Sequence, residues 1–352
     1  METIVFIACH NHFRDWAGKS YYDLITYIRE NNKKNKIVIY WNDGNIKEIQ
    51  NEIKNIKPKM IVFFETTKLK DNKELFFVFD LGIPVGVCLL DIFNVRKTSN
   101  DKGIKKTDFI IHFSESKSFI RTYQRIFPQK YLGCFNSRFI NVERFKDYKL
   151  PKIYDILLYG TRTYNKDYKN EKLDSIQNYI KRKEQNNGKK IQKDEKIDFY
   201  PLRVKLEKIL NQLSTKYCIK ILPEVCIDKA VIANEDLSRL INQSHLTVSC
   251  CTIADIMMHK YLEIGASKSV ILGNIPSDYN NFFKNDMIEV NEFMTDEMII
   301  NKIDDALQNK TKLKEMSDRL YKKIQEQHNF DKALINFNQT FDNVFTYMIK
   351  RK

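Results

Sequence analysis

Short β-branched or aromatic runs alternate with longer helix-period segments along this whole chain, and that alternation limits its fold more than any other feature. TIVFIA (Thr3 to Ala8) reads as a strand, and YYDLITYIRE after it as a helix. KIVIYW, from Lys36, is a second strand, and IKEIQNEIKNI is a helix with isoleucines at 46, 49, 53 and 56. MIVFFE from Met60, IPVGVCLL from Ile83 and DFIIHF from Asp108 continue the strands. KELFFVFDLG reads as a helix stopped by Gly82, and SESKSFIRTYQRIF as a helix with Ser114 as its N-cap. Strands separated by helices join through right-handed crossovers, which yields a parallel sheet covered on both faces.

The pattern pauses at FNSRFINVERFKDYKLPK (Phe135 to Lys152), which reads as an interdomain linker. A second series follows. YDILLYG (Tyr154 to Gly160), YCIKIL, HLTVSC, SVILGN and MIEV are its strands. YPLRVKLEKILNQL, NEDLSRLINQ and the segment carrying Lys260 and Glu263 are its helices. A chain of 352 residues suits two domains of about 150–200 residues each. The expected fold is therefore α/β, with two Rossmann-like, doubly wound parallel-sheet domains facing a cleft, at residues 1–150 and 151–329. The lysine- and glutamate-rich stretch near 165–197, broken by NNG, reads as an insertion. A last helix, 330–352, puts Leu334, Phe337, Phe341, Val344, Phe345 and Met348 on one face and is expected to pack back onto the first domain. Its basic KRK end keeps a membrane-surface role open.

Composition narrows the function classes. Hydrophobic content of 43% and aromatic content of 12% belong to a globular protein. The seven cysteines are odd in number, lack CxxC spacing and mostly lie in apolar runs. That describes buried free thiols in a reducing compartment, not zinc ligands. METIVFIACH lacks a basic n-region, and the longest apolar run, from Leu75, is broken by Asp80 and Pro84. A soluble, cytoplasmic protein is expected. The net charge of +14 is spread along the chain, which describes a solvated basic surface more than a nucleic-acid-binding block. Peripheral contact with an anionic membrane stays open.

Open parallel sheets bind ligands outside the carboxyl ends of their strands, and two such domains place the natural site in the cleft between them. Three elements of the second domain fall at that edge. GTRTYNK follows YDILLYG and brings Gly160, Arg162 and Lys166 to where a diphosphate would lie. YPLR brings Arg203, which is also spaced to form an i,i+4 pair with Glu207. The third is the helix region from Asp255 to Glu263, whose two carboxylates at the sheet rim are suited to sugar hydroxyls. An unpaired carboxylate among the apolar neighbours of Glu263 would be costly. In the first domain, His10 and His12 follow strand one and are, with Asp15, the well-placed bases. No DxD-type pair stands at a strand end, so no metal is expected.

SCCTIADIMMHKYLEIGASKSVILGNIP resembles the group 1, Glu-x7-Glu glycosyltransferases of the GT-B fold, and more closely their CgeB-like branch, found also in large DNA viruses. FINVERFKDYKLPKIYDILLYG and YPLRVKLEKIL are similar to the same branch. The resemblance covers most of residues 108–330, while the first 107 match only in their βα pattern. It implies a transferase moving a sugar from a nucleotide-diphosphate donor to a glycan, glycoprotein or lipid-linked acceptor, retaining and without a metal or other cofactor. Asp255 would meet the donor sugar and Glu263 the ribose, with Arg162, Lys166 and Lys260 on the phosphates; Gly160, Arg203 and Ser267 complete the donor-side candidates. If the chain is viral, its compartment is the host cytoplasm. Three positions depart from the family pattern: Asp255 stands for Glu, Lys268 for Gly and Val270 for Pro. Lysine at a tight helix-to-strand turn must take a backbone that favours glycine or reroute the turn. Two other readings stand beside this one: a glucosyltransferase acting on DNA bases, and a degenerate, non-catalytic module binding a sugar or a partner.

Overall fold

The structure is a computed structural model that describes residues 1–8, 19–41, 44–64, 73–89, 102–112, 116–136, 138–162, 165–166, 173–192, 195–224 and 234–351. The chain divides into two compact units. One holds Met1–Phe139, Glu171–Leu173 and Phe330–Lys352, and the other Ile140–Asn170 and Asp174–Asn329. The second unit thus begins inside the stretch read as a linker.

The first unit is built on six parallel strands: β1 (Glu2–Ala8), β2 (Asn35–Trp41), β3 (Met60–Phe64), β4 (Val85–Leu89), β5 (Phe109–His112) and β6 (Tyr131–Cys134). Their order across the sheet is β2-β1-β3-β4-β5-β6. β6 escaped sequence reading because YLGC is only four residues long and interrupted by glycine. The segment Lys73–Asp80 is a 3-10 helix, and a helix spans Lys117–Ile126 with Ser116 at the N-cap position. Ser114 lies outside the described residues. In the helix Ile46–Ile56, Asn45 caps the backbone amides of Lys47 and Glu48, and only Ile49 and Ile53 of the four isoleucines are buried.

The final helix, Phe330–Arg351, buries Phe337, Phe341, Val344 and Met348 with Ile4, Phe6, Val62 and Phe64 of the sheet, while Leu334 and Phe345 are partly covered. The Phe6 ring meets the Phe341 ring edge-on at 5.7 Å. Each fully buried phenylalanine contributes about 1.5–3 kcal/mol of transfer free energy, so this stripe is a core element.

The second unit repeats the plan with five parallel strands: β7 (Tyr154–Leu158), β10 (Ile219–Ile221), β11 (Ser244–Val248), β12 (Val270–Gly273) and β13 (Met287–Glu289). Residues alternate between faces. Ile156 and Leu158 of β7 join one apolar cluster, and Leu157 with Tyr159 joins another. Both faces are therefore covered, as a parallel sheet requires. The insertion contributes the helix Asp174–Asn187 and a short antiparallel pair, β8 (Asn165–Lys166) with β9 (Ile197–Asp198). Among the described residues no helix is long and apolar enough to cross a membrane.

Candidate functional site

The five-stranded sheet has the order β10-β7-β11-β12-β13, so successive connections leave β7 in opposite directions. This is a topological switch point, and open α/β sheets bind ligands just outside the carboxyl ends of the strands that flank it. Those strands are β7 and β11. The chain leaves β7 through Tyr159, Gly160 and Thr161, and leaves β11 through Ser249 and Cys250.

Gly160 has φ +95, a backbone that side-chain-bearing residues rarely adopt, and a Cβ there would overlap the Lys260 ammonium. Lys260 opens the helix Lys260–Ala266. Its Nζ donates to the Tyr159 carbonyl at 3.0 Å and lies 4.1 Å from the centre of the Tyr159 ring. One turn further along, Glu263 accepts a hydrogen bond from the Tyr159 hydroxyl, Oη to Oε2 at 2.9 Å. Tyr159 thus links both charged side chains.

Burial pushes the Glu263 carboxyl above its ordinary range, and the Lys260 charge and the Tyr159 hydroxyl oppose that shift. Burial, aided by the like charge of Arg203, pulls the Lys260 ammonium well down, and Glu263 opposes it. Each charge favours the ionised form of the other, and Tyr159 holds both at the strand end.

Arg203 sits in the first turn of the helix Pro201–Leu213, where Pro201 supplies a preset helical φ. It is buried. Its Nη1 donates to the Thr161 carbonyl at 2.6 Å, and its guanidinium lies 4.0 Å over the Tyr200 ring. Its Nε has no hydrogen-bond partner among the described residues. Arg162, expected beside the diphosphate or in solvent, is instead turned inward. Its Nε pairs with Glu207 at 2.8 Å, Nη1 donates to the Gly160 carbonyl at 3.0 Å, and Nη2 donates to the Leu222 carbonyl at 3.2 Å. All three nitrogens are engaged, so Arg162 braces the turn after β7, and Glu207 pairs with it instead of with Arg203.

Asp255 lies in the loop after β11 with φ +58, a left-handed conformation that aspartate tolerates better than most residues. Its Oδ1 accepts the Ser277 amide at 3.3 Å. Burial raises its carboxyl, offset by Ser277 and by the charge of Arg182.

Ser267 follows the last residue of the Lys260–Ala266 helix, at the opposite end from Lys260, and its hydroxyl is 2.9 Å from that of Ser238. Its backbone amide donates to the Glu263 carbonyl at 3.1 Å as the helix C-cap, while its hydroxyl is turned to Ser238 and makes no hydrogen bond with the Glu263 carboxylate or with Lys260 among the described residues. Lys166 pairs through its backbone with Ile197, while its side chain, His10 and His12 lie outside the described residues. Sequence reasoning missed Tyr159, Tyr200 and Arg182, which stand beside Lys260, Arg203 and Asp255. Aromatic residues flank many strands, and a charged residue in an insertion carries no local signal.

No protein-family model matches the chain, and no curated protein matches it. Solved structures do. Sucrose-phosphate synthase from Thermosynechococcus elongatus aligns with a TM-score of 0.60 at 10% identity, over 99% of this chain and 100% of that one. Anabaena HepE in complex with UDP-glucose aligns with a TM-score of 0.57 at 9% identity, over 97% of this chain and 100% of that one. HepE in complex with UDP and glucose gives 0.56 at 10%, with the same coverage. The shared architecture is that of the GT-B class, two Rossmann-like parallel-sheet domains in one chain.

Proposed function

We propose that this chain is a glycosyltransferase that takes a sugar from a nucleoside-diphosphate donor held by the second unit. The observation that carries the reading is the approach of Lys260 to Gly160 at the switch point, with Glu263 one turn beyond. A cation, a side-chain-free backbone and a carboxylate then stand where a diphosphate and its ribose need a counter-charge, close access and a hydroxyl acceptor, in that order. HepE, which has the same fold, is a complex with UDP-glucose, and that supports a nucleotide-sugar donor for this chain.

In this reading Glu263 accepts the ribose hydroxyls, with Tyr159 fixing the carboxylate rotamer. Lys260 neutralises the diphosphate, and an arriving phosphate returns the ammonium toward full protonation. Glycosyl transfer passes through an oxocarbenium-like state while negative charge grows on the departing diphosphate. One well-placed donor to such an oxygen lowers the barrier by about 3–4 kcal/mol. Lys260 serves that role, with the Arg203 guanidinium adding positive potential from beneath the turn. Asp255 addresses the sugar. With side-chain cations in these places the transfer proceeds without a divalent metal, and the spacing from Asp255 to Glu263 aligns it with retaining enzymes of the Glu-x7-Glu type, CgeB-like in detail. The acceptor is a glycan, glycoprotein or lipid-linked sugar.

The test is turnover. The purified chain is incubated with a panel of UDP-, GDP-, CDP- and dTDP-sugars, and released nucleotide and the anomeric configuration of the product are followed by NMR. Release from one nucleotide class, abolished in Lys260→Ala, supports the proposal. No release from any donor, with or without acceptor sugars, counts against it.

A further inference from the structure

β12 and β13 are adjacent and in register, with Gly273 opposite Glu289, so the segments leaving their carboxyl ends are neighbours. Val290 continues this pairing by donating its amide to the Gly273 carbonyl at 3.0 Å. Asp255 is fastened to the first of these segments through the Ser277 amide. The second carries Glu292 and Phe293. The inserted helix reaches the same place: the Arg182 guanidinium lies 4.6 Å over the Phe293 ring, and the Tyr179 ring is 6.0 Å from it.

We infer that Arg182 and the Asp255 and Glu292 carboxylates form the sugar end of the donor site and select a neutral hexose over a hexuronic acid; this rests on the donor reading above. Arg182 attracts both carboxylates, and Asp255 and Glu292 repel each other. Lys205 also faces Glu292, but it is paired with Asp296 at 3.2 Å and donates to the Met294 carbonyl. Two half-buried carboxylates against one arginine leave a local excess of negative charge. Sugar hydroxyls donate to such carboxylates, whereas a uronate would bring a third negative charge into a partly desolvated site. The insertion is thereby a specificity element, and Arg182 sets how strong the exclusion is.

The experiment measures, by calorimetry on the full chain, affinity for the bare nucleotide and for two of its esters. These are UDP-glucose and UDP-glucuronate, or GDP-mannose and GDP-mannuronate if GDP is the nucleotide bound. The readout is the neutral-to-uronate ratio within each protein. The native chain should favour the neutral ester by at least about tenfold, or 1.4 kcal/mol. Glu292→Gln should shrink that ratio. Arg182→Gln, at an exposed helical position, should widen it. Equal affinity for both esters in the native chain, or a ratio unmoved in both variants, overturns this inference alone. Failure of every nucleoside diphosphate to bind overturns the donor reading and this inference with it.

Discussion

Lys260 occupies the space that a side chain at residue 160 would need, and Gly160, which has no Cβ and a φ of +95, leaves that space open. The pair couples a backbone requirement on one strand end to the placement of a charge from another element. Gly160→Ala should therefore fail twice. Its strained φ costs about 1–3 kcal/mol of unit stability. The displaced ammonium should also lower nucleotide affinity by roughly tenfold or more, a loss of about 1.4 kcal/mol. Chemical denaturation and calorimetry on the same variant separate the two effects.

Tyr159→Phe removes the hydroxyl that holds Glu263. A hydrogen bond to a charged group contributes about 1.5–3 kcal/mol. The variant should bind nucleotide more weakly than the native chain but better than Glu263→Ala, because the carboxylate remains. An affinity equal to the native value would show that the Tyr159–Glu263 bond does not position the carboxylate.

Nucleotide affinity should fall with rising pH. The Lys260 ammonium is held well below its ordinary value by burial and by Arg203. Its charge, and with it the attraction for phosphate, is lost as pH climbs through that lowered value. Lys260→Arg, always charged at these pH values, should flatten the curve. A native curve that is already flat up to about pH 9.5, where a free lysine (about 10.4) is still charged, would contradict the assignment.

Lys152 supplies a separate test of the fold. Its ammonium donates to the Ser244 and Lys268 carbonyls, and burial holds its pKa down to about 8 against an ordinary 10.5. Below about 8 both folded and unfolded chains carry the proton, and the burial penalty is fully present. Between about 8 and 10.5 the folded chain has shed a proton that the unfolded chain retains, so this group makes the second unit more stable as pH rises. The urea midpoint should therefore gain more from a shift out of neutral into this window in the native chain than in Lys152→Met. An identical gain in both would remove Lys152 from the account.

Phe337→Ala empties a core position shared by the final helix and β1. The loss should be about 3–5 kcal/mol, the range for deleting a buried phenylalanine. If the variant unfolded like the native chain in urea, the helix would not belong to the core of the first unit.

Much of this architecture was legible in the sequence, because a strand covered on both faces reads as a continuous apolar run, as MIVFF does, and a helix packed on one face repeats its apolar residues at period 3.6. Lys268 shows how far local reasoning reaches. The turn after the Lys260–Ala266 helix favours glycine, and Lys268 indeed takes a left-handed φ of +58. Its side chain pairs with Asp318 and lies 4.9 Å over the Tyr321 ring, which offsets part of the strain. Partners were not legible. Arg162 follows its strand at the spacing expected of a phosphate ligand, yet Glu207 and two carbonyls take its guanidinium. Which cation turns inward depends on distant partners, here Glu207 and the Leu222 carbonyl, 60 residues away, besides the neighbouring Gly160 carbonyl. The role of Tyr159 depends likewise on a carboxylate 104 residues away.

In the proposed function, Gly160, Lys260 and Glu263 form the nucleotide site. Calorimetric titration of the purified chain with UDP, GDP, CDP and dTDP, repeated on Glu263→Ala, tests it most directly. Saturable micromolar binding of one nucleotide, lost in the variant, is the predicted result. Failure of all four to bind, or binding that survives Glu263→Ala unchanged, would contradict it.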